Sequence, residues 1–202
     1  MFRTGISTKS PEGAKWISIT VPSGYEIHQL DVGPTGLVWA TLSDGRALIR
    51  MGVTRDSLSG ENWVEIRGPA DGIRISHLSL GLCSLWAVTQ DKRVWFRKGI
   101  KGEGSGTNEG MAVGCGWVEM VGRMSVVSVT TNDQVFAIGT DDRSVYFRTD
   151  VTNGDLTGKK WKRLHAPLQI SRASSNASLN KDKHNNSTKS SSSLVSIICL
   201  LI

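Results

Sequence analysis

The sequence predicts an all-β chain made of β-propeller blades, and three observations predict it. A tripeptide recurs as Val38-Trp39-Ala40, Leu85-Trp86-Ala87 and Val135-Phe136-Ala137. After each copy comes a polar turn, then an apolar or aromatic run closed by arginine: Leu48-Ile49-Arg50, Trp95-Phe96-Arg97 and Tyr146-Phe147-Arg148. The arginines Arg3, Arg50, Arg97 and Arg148 are spaced by 47, 47 and 51 residues. A period in the forties with strand-like content is what propeller blades leave in a sequence.

Taken in order, Phe2-Arg3 resembles the last strand of a unit whose earlier strands are missing. The first full unit runs from Trp16 through Arg50. The second contains four short runs, Trp63–Ile66, Ile75–Leu80, Leu85–Thr89 and Arg93–Arg97. Each is rich in Val, Ile, Leu or aromatics and bounded by Gly, Pro, Asp or Ser, the signature of strands. The third unit runs from Trp117 through Arg148, and Trp161–Leu164 resembles a first strand with nothing after it. The expectation is three complete four-stranded antiparallel blades with an orphan strand at each end. Closed propellers use about four to eight blades, so the chain reads as a partial propeller, an arc cut from a longer one.

The blades are expected to occupy 1–170, with one irregularity. Arg97 to Trp117 is 20 residues, whereas Arg3 to Trp16, Arg50 to Trp63 and Arg148 to Trp161 are each 13. The surplus forms a Gly-rich insertion at 101–116, read as inter-blade loop. Residues 171–202 read as a disordered Ser/Asn/Lys-rich tail, too poor in apolar residues to order itself. It closes in a short apolar terminus, 194–202, well below the roughly 20 residues of a membrane-spanning helix.

The net charge is +6, about half of it in the tail. No run of like charges marks a nucleic-acid arm, so no nucleic-acid partner is expected. The three cysteines, Cys83, Cys115 and Cys199, form no CxxC pair and suggest neither zinc nor a disulfide framework. Residues 1–13 are polar and unlike a secretory signal, which predicts a cytoplasmic setting.

Candidate functional residues are few. Trp16, Trp63, Trp117 and Trp161 each open a strand, while Trp39, Trp86 and the counterpart Phe136 sit mid-blade. Exposed, they would stack sugars or bases; recurring once per unit, they are better read as wedges between blades. The ring Arg3, Arg50, Arg97 and Arg148 would grip phosphates if exposed. Its architectural reading is an arginine paired with an acidic or carbonyl group of the adjacent blade, with Asp31, Asp56, Asp133 and Asp155 available. Lys92, Arg93 and Lys98 are the weak candidates for an anionic headgroup.

Enzymatic signals are thin. Gly154-Asp155-Leu156-Thr157-Gly158-Lys159-Lys160 has one residue too few between its glycines for a phosphate loop, and lysine where Ser or Thr should hold magnesium. The histidines are scattered, and neither HExxH nor GxSxG occurs. The reading is a non-enzymatic chain with no catalytic residue, cofactor or metal.

The stretches LVWATLSDGRALIRMGVT, LWAVTQDKRVWFRKGI and QVFAIGTDDRSVYFRTDVT resemble tectonin β-propeller repeats. GCGWVEMVGRMSVVSVTTNDQVFAIG and LTGKKWKR are similar to the animal members that tether lysosomes in autophagy. The resemblance covers about residues 2 to 164. It implies a scaffold in which tectonin propellers flank peroxin/dysferlin-type and pleckstrin-homology modules. It also implies autophagy and endolysosomal protein partners, phosphoinositide or other anionic lipids bound through the parent protein, and a location peripheral to lysosome and autophagosome membranes. Other tectonin-repeat proteins bind glycans, so a lectin-like module is the alternative. Asp150 in place of Gly, Phe136 in place of Trp and the 101–116 insertion depart from the repeat.

Overall fold

Short β-branched and aromatic runs between turn residues become strands here, as their fit to a pleated, half-buried surface dictates. A computed structural model describes residues 1–54, 56–101 and 112–165. The fold below is that of the unit Met1–Leu164. The expected tail and most of the insertion loop lie outside the described residues.

The first blade is the four-stranded sheet β3 (Ile27–Val32), β4 (Val38–Leu42), β5 (Ala47–Arg50) and β6 (Trp63–Ile66), paired antiparallel in sequence order. The second is β7 (Ile75–Leu80), β8 (Leu85–Thr89), β9 (Arg93–Lys98) and the first part of β10 (Gly116–Val129). The third continues from the rest of β10 into β11 (Val135–Gly139), β12 (Val145–Arg148) and β13 (Trp161–Arg163). Before them, β1 (Phe2–Thr4) and β2 (Lys15–Ile17) form a two-stranded hairpin. The sheets do not close on one another, and the architecture is a partial propeller.

Three complete blades are present, but the phase differs by one strand from the sequence expectation. Each Trp-bearing strand is the outer strand of the preceding blade, not the first strand of the next. The registers Arg3↔Trp16, Arg50↔Trp63, Arg97↔Trp117 and Arg148↔Trp161 fix this. Neither end strand is therefore an orphan: β1 pairs with β2, and β13 completes the third blade. The physical reason is the arginine on the third strand, which reaches across to the Trp ring and to the loop joining the two strands.

β10 serves two blades. Its first part pairs with β9 and its second with β11, with a register shift between Met120 and Arg123 where the chain turns. Gly122 there has φ +120 and lies against the Trp161 ring, which a β-carbon would crowd. Eight residues, 67–74, make the corresponding crossing from the first blade to the second.

The core consists of layers between blades, because alternate residues of each strand face opposite neighbours. Trp39, Ile49 and Ile66 meet Leu78, Leu85, Ala87 and Trp95 in the first layer. Trp86, Val88, Val94 and Phe96 meet Val127, Val129, Val135 and Ala137 in the second. Side chains on the inner strands then tie each blade to the backbone of the next. Gln29 bonds the C=O and N–H of Leu78 (2.8 and 2.9 Å), and Asp31 accepts from Leu80 N–H (2.7 Å). One blade on, His77 Nε2 lies 2.8 Å from the Val127 carbonyl, and Ser79 Oγ accepts from Val129 N–H (3.1 Å).

Candidate functional site

Each recurring arginine is consumed by a local clamp. Arg3, Arg50, Arg97 and Arg148 lie over the rings of Trp16, Trp63, Trp117 and Trp161 at 5.4, 5.4, 5.1 and 5.3 Å. Their Nε atoms donate to the carbonyls of Glu12, Ser59, Val113 and Thr157 at 2.7, 2.9, 3.0 and 2.8 Å. The partner is thus a carbonyl in the blade's own outer loop, not an acidic group of the adjacent blade. Arg50, Arg97 and Arg148 are buried, and burial lowers the pKa of each guanidinium from its ordinary value. They are unavailable for a ring that grips phosphate.

The aspartates once considered as their partners do other work. Asp133 is buried and accepts from Cys83 N–H (3.1 Å) and Ser84 Oγ (2.6 Å), tying the third blade's turn to the second's. Asp155 accepts from Thr157 N–H and Oγ1 within its own loop (2.9 and 2.6 Å), and Asp56 is exposed.

The tryptophans are equally occupied. Trp39 and Trp86 are fully buried, and their indole N–H groups have no partner among the described residues, so Phe136 gives up no hydrogen bond. The outer indoles donate to the strand-crossing segment of the preceding unit: Trp63 to the Thr20 carbonyl (3.1 Å), Trp117 to Arg67 (3.0 Å) and Trp161 to Val121 (2.9 Å).

Lys92, Arg93 and Lys98 do not converge. Arg93 and Lys98 stand at opposite ends of β9, roughly 17 Å apart at the rise of a strand. Arg93 is engaged by Asp91 (2.6 Å) and Glu119 (3.3 Å). Its pKa is raised first by the Asp91 bond. Arg46, bound to Asp44 and Glu65, is its counterpart in the first blade. The third blade reverses the arrangement, placing Arg163 3.6 Å from Asp142.

The structure instead brings together a group that the sequence reading did not choose. An open groove of about 750 Å³ runs over the third blade, lined by Gln134, Phe147, Trp161 and the bases Lys160, Lys162 and Arg163, with Asp150 the acid among its lining residues. Lys160, Lys162 and Arg163 are exposed. Lys162 Nζ sits 5.9 Å from the Phe147 ring, a cation–π distance. Phe147 is only half-buried, whereas its counterparts Ile49 and Phe96 are 0% and 6% exposed against the next blade. Lys162 occupies the place of Val64, which packs into the first core layer. The signal was present as Lys159-Lys160-Trp161-Lys162-Arg163, four bases around one aromatic.

Asp150, one departure from the repeat, adopts φ +60 where Gly52 and Gly99 have +72 and +77, so the local conformation is retained. Gly154–Lys160 is the outer loop between β12 and β13, with Thr152 and Asp155 bridged across its tip. Ser7 and Ser10 form the same bridge in the loop between β1 and β2. Among the described residues no helix is long and apolar enough to cross a membrane.

A family model described as Tectonin domain matches residues 21–180. The chain is 51% identical over 181 residues to a tectonin beta-propeller repeat-containing protein of Drosophila melanogaster, covering 89% of this chain and 13% of that protein. It is 40% identical over 137 residues to tectonin beta-propeller repeat-containing protein 1 of Mus musculus, covering 68% and 11%. The chain therefore spans about an eighth of the length of these relatives. Among solved structures, YCF48 from Cyanidioschyzon merolae superposes with a TM-score of 0.47 and 18% identity, over 75% of this chain and 40% of that one.

Proposed function

The chain belongs to the tectonin family, and we propose that it is a non-enzymatic interaction module whose third-blade groove captures acidic segments of protein partners. The observation that carries this reading is the groove itself. Three exposed bases surround an aromatic surface that elsewhere in the chain is sealed by a neighbouring blade. Aromatic anchors beside basic groups favour a partner with apolar and acidic residues in alternation, through burial at the rings and charge-assisted bonds at the rim.

The finer reading is a tether of the autophagosome–lysosome system, peripheral to those membranes and acting through endolysosomal proteins. Resemblance to the animal lysosome-tethering members supports it. Anionic lipids such as phosphoinositides would be met by the parent protein, with Lys92 and Lys98 as further basic contacts. The carbohydrate-binding alternative has less support, because the once-per-blade tryptophans are occupied by arginine stacking, indole hydrogen bonds or burial.

The test is affinity capture from cells, using the wild-type chain and the Lys160→Glu/Lys162→Glu double variant. The expected result is recovery of endolysosomal or autophagy factors by the wild type and their loss from the variant. Equal recovery by both removes the groove from the proposal, and recovery of no such factor by the full-length protein overturns the tethering role.

A further inference from the structure

The β1–β2 hairpin is the outer half of a blade. Arg3 pairs with Trp16, lies 5.4 Å from its ring and donates from Nε to the Glu12 carbonyl at 2.7 Å, as in each complete blade. In the complete blades the inner edge of that arginine strand is paired: Val38 faces Arg50 and Leu85 faces Arg97. Among the described residues no strand pairs with the corresponding edge of β1.

A second gap lies beside it, on the inner strand of the first blade. Leu30 and Val32 are 49% and 52% exposed. Their counterparts Leu78 and Leu80 are 0% and 4% exposed, and Val127 and Val129 are 1% and 8%, because the inner half of the preceding blade covers them. One object fills both gaps, namely the two-stranded inner half of a blade.

The repeated interfaces specify its chemistry. Its inner strand needs two polar side chains two residues apart to bond the backbone of Leu30 and Val32. Gln29 and Asp31 do this for Leu78 and Leu80, and His77 and Ser79 for Val127 and Val129. Its second strand needs an aromatic followed by a small residue, as in Trp39-Ala40 and Trp86-Ala87, the aromatic filling the layer against the first blade.

We propose that the β1 edge and the Leu30–Val32 patch together form an acceptor for a partner polypeptide's β-hairpin, polar-x-polar on one strand and aromatic-small on the other. Strand addition supplies main-chain hydrogen bonds along β1, and the alternate side chains supply specificity. The acceptor lies on the first blade and is independent of the third-blade groove.

The test is titration of the full chain with a labelled synthetic peptide of residues 75–89, which carries His77, Ser79, Trp86 and Ala87, with hydrogen exchange as the second readout. The expected result is saturable 1:1 binding with slowed exchange at Phe2–Thr4 and Leu30–Val32. Binding should weaken at least tenfold in Leu30→Asp/Val32→Asp, whose side chains are already exposed, and in a peptide carrying Trp86→Ser. Val121→Asp, at an 87% exposed position away from the patch, should leave it unchanged. No binding overturns the proposal. So does binding that ignores Leu30→Asp/Val32→Asp, since the peptide would then be replacing the chain's own β7–β8. A dimer dissolved by the same double variant overturns the hairpin as occupant in favour of a second copy.

Discussion

Replacing Arg148 tests whether the arginine clamps stabilise the blades or merely survive in them. The guanidinium is 4% exposed, 5.3 Å from the Trp161 ring and 5.9 Å from the Trp86 ring of the preceding blade. Its Nε donates to the Thr157 carbonyl at 2.8 Å. A hydrogen bond from a charged donor contributes about 1.5–3 kcal/mol, and each desolvated ring face roughly 0.5–2 kcal/mol. Against these stands the cost of burying the charge, whose sign is visible in the lowered pKa of the group. If the contacts win, Arg148→Ala destabilises by about 3 kcal/mol, which for a chain of this size lowers Tm by roughly 6–12 °C. Arg148→Lys keeps the charge but loses the planar stack and the Nε bond, and should cost about 2 kcal/mol. Arg148→Met keeps the length, removes the buried charge and leaves the carbonyl unpaired. Urea unfolding followed by tryptophan fluorescence reads all three. A methionine variant as stable as the wild type would refute the reasoning, since desolvation would then equal everything the stacking and hydrogen bond contribute.

Two further outcomes follow from the inter-blade bonds. Asp133→Ala strands the fully buried Ser84 hydroxyl and the Cys83 N–H, and places a β-carbon without a compensating side chain at φ +62. The expected loss is about 3 kcal/mol in urea unfolding, with Asp133→Gly less damaging than Asp133→Ala because glycine relieves the backbone. Burial lowers the pKa of His77, partly opposed by the Val127 carbonyl and Asp31, while His28 adds to the lowering. The unfolded chain therefore takes up the proton first. The His77 contribution is present above the ordinary histidine value and lost as pH falls through it toward the lower folded value. His77→Gln, which copies Gln29 in the first blade, should keep the bond to Val127 and flatten the decline of Tm between about pH 7 and pH 5. An unchanged pH profile in this variant would assign the decline elsewhere.

The fold was legible in the sequence because blade symmetry repeats its large residues. Trp39, Trp86 and Phe136 recur since every inter-blade layer needs one bulky wedge. The blade phase was less legible. Strand content says that Trp63–Ile66 is extended, but pairing with β5 or with β7 is decided by Arg50 reaching the Trp63 ring and the Ser59 carbonyl. Carbonyls carry no sequence signature, which is also why the arginines were expected to pair with aspartates across blades. The fixed 13-residue return from Arg3, Arg50 and Arg148 to tryptophan was the available clue. Its shared pattern, seen in Ile6–Gly13, Val53–Gly60 and Val151–Gly158, explains the semblance of a phosphate loop at Gly154–Lys160.

The candidate groove was hidden by the same symmetry. Repetition draws attention to what is constant, and a site on a repeated scaffold consists of what is not. On the face of the third blade that meets the second, the repeat holds: Ala137 follows Ala87 into a core layer, and Arg148 follows Arg97. On the opposite face it breaks at two positions that matter. Leu37 is matched by Gln134, and Val64 by Lys162, each exchange placing a polar group where the first blade has an apolar contact. Another blade built like the second would bury Lys162 against a layer designed for valine, at a desolvation cost that nothing in the repeat offsets. An acidic partner removes that cost by pairing the ammonium. The departure from symmetry therefore selects the chemistry of the partner, and charge reversal at Lys160 and Lys162 should abolish capture while leaving the buried layers and Tm unchanged.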